Sequence, residues 1–214
     1  MNVMARRALL LIDLQNDFVD GGSLAVPQGR EVIEIANRLM PIFDLVVATL
    51  DWHPADHLSF ASQHAGLAVY DNFQLDGLPQ TAWPDHCVQG TFGAELVAEL
   101  NTDEIDFRIY KGTDPRIDSY SGFYDNGHRK ATGLTEFLRS EKVDELFIMG
   151  LATDYCVLFS ALDAVREGFV TNIIRDGCRG VGIRPNDISD AWKTMSSAGI
   201  RLVESHEVPE CIRR

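Results

Sequence analysis

Residues with catalytic or metal-binding chemistry stand where the apolar runs of this sequence stop. Asp13 closes the run Ala8 to Ile12, Asp51 and His53 follow the run Leu45 to Leu50, and Lys111 closes Phe107 to Tyr110. Cys156 comes shortly after a further run, behind Met149-Gly150-Leu151-Ala152-Thr153-Asp154. If a helix begins near Cys156, its partial positive end and a nearby Lys111 would lower the thiol's pKa and give a nucleophile. The same helix start would offer free backbone N–H groups to a developing oxyanion, and Asp13 would take and return the proton. Taken singly, an Asp after a strand is a turn former, a Lys there is a surface charge, and a helical Cys is a small core residue. Their shared place at the ends of apolar runs is what points to a site. Cys178, followed by Arg179 and Gly180, has no base placed beside it.

A second constellation is Asp51-Trp52-His53. Residues i and i+2 of a strand face the same side, so a carboxylate and an imidazole there can hold one ion, and Pro54 then ends the strand. Further ligands are available in His57, Ser59, His64 and His86, the last within Trp83-Pro84-Asp85-His86-Cys87. Mixed nitrogen and oxygen donors suit zinc, iron or manganese, and the lack of sulfur donors argues against a structural zinc site.

The elements that must position these groups follow from patterning. Ala8 to Asp13, Leu45 to Leu50, Phe107 to Lys111, Glu145 to Gly150, Val170 to Asp176 and Ile200 to Glu204 are short and nearly continuous in apolar character, which predicts strands buried on both faces. Helical spacing lies between them: Val32, Ile35, Ala36, Leu39 and Met40 up to Pro41; Leu134, Phe137 and Leu138; Tyr155 to Glu167 before Gly168; and about Pro185 to Ala198 before Gly199. The alternation predicts an α/β fold, three layers α/β/α around a mostly parallel six-stranded sheet. Ligands bind such sheets outside the carboxyl ends of the strands, which is where Asp13, Asp51, His53 and Lys111 fall. The segment from about 51 to 91 is longer than an ordinary crossover loop and reads as a metal-binding insertion.

Composition sets the limits. The chain has 214 residues, 19 basic against 32 acidic, a net charge of −13 and a hydrophobic fraction of 45%. That is globular rather than disordered, and it fits one domain over residues 1–214. The acidic balance speaks against nucleic acid and anionic membrane partners. No apolar run approaches the ~18 residues of a membrane span. The stretch after Arg6-Arg7 is stopped by Asp13 before it reaches the roughly seven residues of a secretory core. Cys87, Cys156, Cys178 and Cys211 are scattered without a CxxC pair, so a cytoplasmic location is expected. The partner class is a small molecule, with the chain a monomer or a homo-oligomer such as a dimer.

The blocks Leu11-Ile12-Asp13-Leu14-Gln15-Asn16-Asp17-Phe18, Asp51-Trp52-His53-Pro54, Trp83-Pro84-Asp85-His86-Cys87, Asp118-Ser119-Tyr120-Ser121 and Gly150-Leu151-Ala152-Thr153-Asp154-Tyr155-Cys156-Val157 resemble bacterial nicotinamidases, which belong to the isochorismatase-like cysteine hydrolases. The resemblance runs from Ala8 to about Leu202 in the family's order. It implies an isochorismatase-like fold and hydrolysis of nicotinamide, and of pyrazinamide, through a Cys thioester in NAD salvage. It implies Asp13, Lys111 and Cys156 as the catalytic set, and the amides of Ala152 and Cys156 as the oxyanion hole beside a cis Leu151–Ala152 peptide. Asp51, His53 and His86 would hold one divalent metal ion, zinc first and iron or manganese next, with His57 or Ser59 as an extra or supporting contact. Phe18, Trp83 and Tyr124 would wall a flat aromatic pocket. The competing readings are another isochorismatase-like cysteine amidohydrolase, which would lack this pairing of metal blocks, and a non-catalytic metal or thiol protein, which would give Lys111 and Cys156 no role.

Overall fold

The computed structural model describes residues 6–212. In chain order its elements are β1 (Arg6–Ile12), α1 (Glu31–Leu39), β2 (Leu45–Asp51), β3 (Asn72–Leu75), β4 (Leu78–Thr81), β5 (Phe107–Lys111), α2 (Leu134–Ser140), β6 (Val143–Leu151), α3 (Leu158–Arg166), β7 (Val170–Arg179), α4 (Asp187–Ser197), β8 (Arg201–Val203) and α5 (Val208–Ile212). The central sheet is six-stranded in the order β5-β2-β1-β6-β7-β8, and every pairing in it is parallel. Leu9, Leu10, Leu11 and Ile12 are consecutive and fully buried. Successive strand residues point to opposite faces, so both faces of β1 are covered, as its unbroken apolar run requires. Helices supply the cover, α1 against β7, α2 against β6, and α4 against β8 and α3.

The order of the strands fixes where a site can form. From β1 the chain winds outward through β2 to β5, then returns to the other side of β1 and winds through β6 and β7 to β8. The switch point therefore lies between β1 and β6, where the two sets of connections diverge and leave a crevice. Register brings the polar ends level: Ile12 pairs with Thr49 and with Gly150, and Asp51 pairs with Lys111.

Three local features depart from the patterning. The helix expected from Tyr155 begins at Leu158, and Thr153–Val157 instead forms a wider π turn in which the Val157 N–H donates to the Ala152 carbonyl at 3.0 Å. β7 runs on to Arg179 because a bulge lets Gly150 pair with Cys178 after Ile148 has paired with Ile173. The long segment after β2 also contains the antiparallel hairpin β3–β4. Its turn, Asp76-Gly77, has φ of 50° and 80°, the pairing of positive angles that a two-residue type I′ hairpin demands.

Packing at the sheet yields a stability test. Phe147 is fully buried and meets Phe43 edge to face at 5.3 Å. Phe147→Ala should cost about 3–5 kcal/mol in urea unfolding. Phe92, 72% exposed, should lose no more than about 0.5 kcal/mol on the same change.

Candidate active site

Asp13 leaves β1 with φ at 51°, an uncommon conformation for a side-chain-bearing residue, and is fully buried. Thr49, level with the end of β1, donates its hydroxyl to Asp13 Oδ1 at 2.6 Å. Gln15 extends the sheet by a side chain: its Nε2 donates to the Asp51 carbonyl at 2.7 Å and its Oε1 accepts the Asp51 N–H at 2.8 Å. The Asp13 carboxylate and the Asp51 backbone are thus held before any ligand is considered.

Lys111 stands between them, 1% exposed. Its Nζ donates to Asp51 Oδ1 at 2.6 Å, to the Ser119 carbonyl at 3.1 Å and to Cys156 Sγ at 3.3 Å. Asp13 Oδ2 lies 2.9 Å from the same Nζ, so four acceptors surround an ammonium that has only three hydrogens. Burial would push Lys111 down, but Asp13 and then Asp51 override it and hold the ammonium well above its ordinary range. Burial raises Asp13, with Lys111 pulling the other way.

The thiol differs from the sequence expectation. Burial pushes Cys156 well above the usual thiol range; Lys111 opposes this, and Asp13 and Asp51 add to it. The turn's amide dipoles and one lysine do not outweigh desolvation beside two carboxylates. Cys156 therefore rests as a thiol, with Asp13 as the adjacent acceptor. Cys178 is also buried, its thiol pushed up to about 12, and it donates to the Ile174 carbonyl inside β7.

Asp51 also faces the imidazoles. The His53 Nδ1–H donates to the Gly112 carbonyl at 2.9 Å and the His86 Nδ1–H to the Pro84 carbonyl at 2.8 Å. A carbonyl can only accept, so each neutral ring carries its proton on Nδ1 and turns the Nε2 lone pair toward Asp51. Those Nε2 atoms lie 3.6 and 3.7 Å from Asp51 Oδ2, and the His53 Nε2 is buried without a partner. Two imidazole nitrogens and a carboxylate oxygen converge on a place for a cation, and the donor set suits a divalent metal. Gly112, at φ 65°, makes this possible, since a Cβ there would lie 2.3 Å from His53 Cε1. His57 is pushed down to about 4 by burial; its Nδ1 meets Ser59 Oγ at 2.7 Å, and its ring centre lies 4.3 Å from that of His53. His64 turns away, with Nε2 on the Leu58 carbonyl.

A narrow cavity opens onto Cys156, Asp51 and His86, and Ala152 lines it too. The Leu151–Ala152 peptide is cis. Phe18 and Trp83 stand in its wall as expected, but Tyr124 does not: its hydroxyl donates to Glu167 and its ring packs on His128. The remaining walls are Leu24, Tyr120, Tyr155 and Val181, with Asp118. Tyr120 is held by Trp83 Nε1 at 3.2 Å and by Gln80 Nε2 at 3.0 Å, the latter from β4, and Gln80 also donates to Asp118. Tyr120 and Tyr155 lie inside the sequence blocks that carry the family resemblance, but nothing in their spacing says which way they turn.

Comparison with known proteins places this geometry. The isochorismatase domain family matches residues 7–207. A nicotinamidase of Escherichia coli is 54% identical over 203 residues, covering 93% of this chain and 95% of the relative. A nicotinamidase/pyrazinamidase structure from Acinetobacter baumanii superposes with a TM-score of 0.93 at 39% identity, covering 97% of this chain and 100% of that one. A pyrazinamidase of Pyrococcus horikoshii, in complex with zinc, gives a TM-score of 0.76 at 37% identity over 93% of this chain and 99% of its own. Among the described residues no helix is long and apolar enough to cross a membrane.

The buried ion cluster can be tested without a substrate. Lys111→Met leaves Asp13 and Asp51 facing each other in the interior and should destabilise the fold by about 3–5 kcal/mol. Adding Asp13→Asn should recover part of that loss in urea unfolding with chelator present. Equal stability of Lys111→Met and wild type would mean that the ammonium does not hold these carboxylates together.

Proposed function

The chain belongs to the isochorismatase family, and we propose that within it this protein is an amidohydrolase that converts nicotinamide, and pyrazinamide, to the acid and ammonia. The observation that carries the reading is the placement of Cys156 Sγ beside Lys111 Nζ and the Asp13 carboxylate, at a cavity walled by aromatic side chains. The 54% identity to the Escherichia coli nicotinamidase over nearly the whole chain supports the substrate. The acid product belongs to NAD salvage.

The chemistry uses groups already in contact. Cys156 attacks the carboxamide carbon as its proton passes to Asp13, and the backbone amides of Ala152 and Cys156 receive the developing oxyanion. Asp13 returns the proton to the nitrogen, the C–N bond breaks, and ammonia leaves a thioester on Cys156. A water that gives a proton to Asp13 adds to the thioester carbon, the C–S bond breaks, and the acid leaves with the thiol restored. Lys111 stays protonated throughout and balances the charge on Asp13, Asp51 and Cys156. Phe18, Trp83, Tyr120 and Tyr155 sandwich the ring and keep the amide over the sulfur.

Asp51, His53 and His86 would hold the divalent ion, with His57 and Ser59 behind them. When bound, the ion supplies a Lewis acid for the pyridine nitrogen's lone pair and so orients the ring. Zinc is the first candidate, supported by the zinc-bound Pyrococcus horikoshii relative, with iron or manganese compatible with the same donors.

Ammonia release from nicotinamide tests the activity directly. Wild-type protein should release it, while Cys156→Ala should release none and Cys178→Ala should remain active. Intact-mass spectrometry during turnover should show an acyl adduct in wild type that is absent from Cys156→Ala. An adduct or turnover surviving in Cys156→Ala would overturn the assignment.

The metal assignment has its own measurement. Wild type should bind about one divalent ion per chain, and His53→Ala or His86→Ala should weaken binding by about 10-fold or more. Metal content equal to wild type in both variants would remove these side chains from the site.

A further inference from the structure

Amide hydrolysis through Cys156 and Asp13 leaves the buried carboxylate of Asp154 unused. It sits in the turn that carries Cys156 and is 8% exposed. An aspartate at such a position ordinarily caps the helix that follows, but this one makes no bond to its own turn. Its Oδ1 accepts the Val181 N–H at 2.9 Å and its Oδ2 accepts the Gly182 N–H at 2.8 Å, across 27 and 28 residues of chain. Those amides belong to the loop between β7 and α4, and Val181 lines the substrate cavity. The loop has little room to settle elsewhere: a Cβ on Gly180 would lie 2.6 Å from Ile188 Cγ1 and 3.0 Å from Asp154 Oδ1. The α4 helix packs on the turn itself.

We propose that Asp154 is a positioning residue for the substrate ring: its carboxylate ties the loop bearing Val181 to the turn bearing Cys156, so that one side chain sets the cavity wall relative to the nucleophile. This rests on the amidohydrolase reading of the site. A carboxylate accepting two adjacent backbone amides through its two oxygens gives a stiff, charge-assisted clamp. Asparagine keeps the shape but presents a donor where one of the amides also donates. The wall then loosens while Cys156, Asp13 and Lys111 keep their contacts. The clamp acts on binding of a flat aromatic amide and not on proton transfer, which predicts which kinetic constant moves.

The experiment is steady-state hydrolysis of nicotinamide by wild type, Asp154→Asn and Val181→Ala, each with a melting temperature. Asp154→Asn should raise KM about tenfold, the order expected for one lost charge-assisted hydrogen bond, with kcat within about threefold. Val181→Ala should raise KM in the same direction, and the double variant should be no worse than about the larger single effect, since both act through one wall. Asp154→Ser, which keeps one acceptor, is the second variant if Asp154→Asn fails to fold, and it should show the same split. A lower melting temperature with unchanged KM, or a fall in kcat at unchanged KM, would overturn the assignment. Wild type that released no ammonia would overturn the activity and this assignment together, whereas active wild type with an unaltered KM in the variants would overturn the assignment alone.

Discussion

A single buried ammonium organises this molecule's chemistry. Lys111 Nζ touches Asp51 at 2.6 Å, Asp13 at 2.9 Å and Cys156 at 3.3 Å with almost no solvent in reach. An unpaired ion in that position would cost several kcal/mol or more even after relaxation, on the order seen for charges stranded in protein interiors. It is tolerable only because strand register delivers two carboxylates to it, from the neighbouring β2 and from β1 beyond it. Asp51 pairs with Lys111 across β2 and β5, and Asp13 follows Ile12, which is level with Thr49 on β2. One ammonium between two carboxylates still leaves the cluster negative by one charge. That surplus sits on Asp51, which also faces His53 and His86, so the Lys111 cluster and the candidate metal ligands are electrostatically one unit. Asp51 is the hinge between them, with one oxygen toward the lysine and the other toward His53 and His86.

The division of labour between strands and loops follows from what each can hold rigid. Strand ends in a parallel sheet cannot shift without breaking ladder bonds, to both neighbours for β2 with Asp51 and to β2 for β5 with Lys111, and that is where the charged groups stand. The aromatic walls come from connecting segments, which need other restraints. Trp83 and Gln80 hold Tyr120, and Gln80 reaches from the small hairpin to Asp118. Asp154 holds the loop of Val181. Each of these restraints is a hydrogen bond that a buried side chain gives or accepts.

What the sequence shows and what it hides divide along the same line. The strands were legible because burial on both faces demands unbroken apolar runs. Asp13 and Lys111 were legible because a charge that ends such a run must meet a buried partner or a ligand. The metal block was legible at Asp51 and His53 through same-face spacing. His86 reaches that site only through tertiary folding of the long segment, so it entered through resemblance. The π turn at Thr153–Val157 was hidden because one shifted backbone bond leaves the apolar pattern intact. Tyr124 was expected in the pocket and Tyr120 occupies the wall instead. The two are four residues apart in an irregular loop whose course is set by bonds such as Ser119 Oγ to the Tyr124 carbonyl and Tyr120 N–H to Asn126 Oδ1. No periodicity records those choices. The hairpin carried a readable signal in Asp76-Gly77, but the segment's many polar and special residues masked it.

The raised thiol is the feature that sequence reasoning placed on the wrong side, and it clarifies how the site works. Helix-start and lysine arguments treat Cys156 as though its surroundings were otherwise neutral. Here two carboxylates and a dry interior favour the protonated form, and Asp13, itself raised by burial, is poised as the acceptor. In the proposed reaction the thiolate is therefore generated only at the moment of attack, when Asp13 takes the proton. That economy needs no side-chain movement, because Lys111 already contacts the sulfur and both carboxylates. It does need the substrate carbon to arrive within a narrow range of the sulfur. The demand for accuracy therefore passes from the ion cluster, which is rigid by construction, to the walls that place the ring. This is why side chains that take no part in the bond changes, Gln80 and Asp154 among them, are buried and hydrogen-bonded.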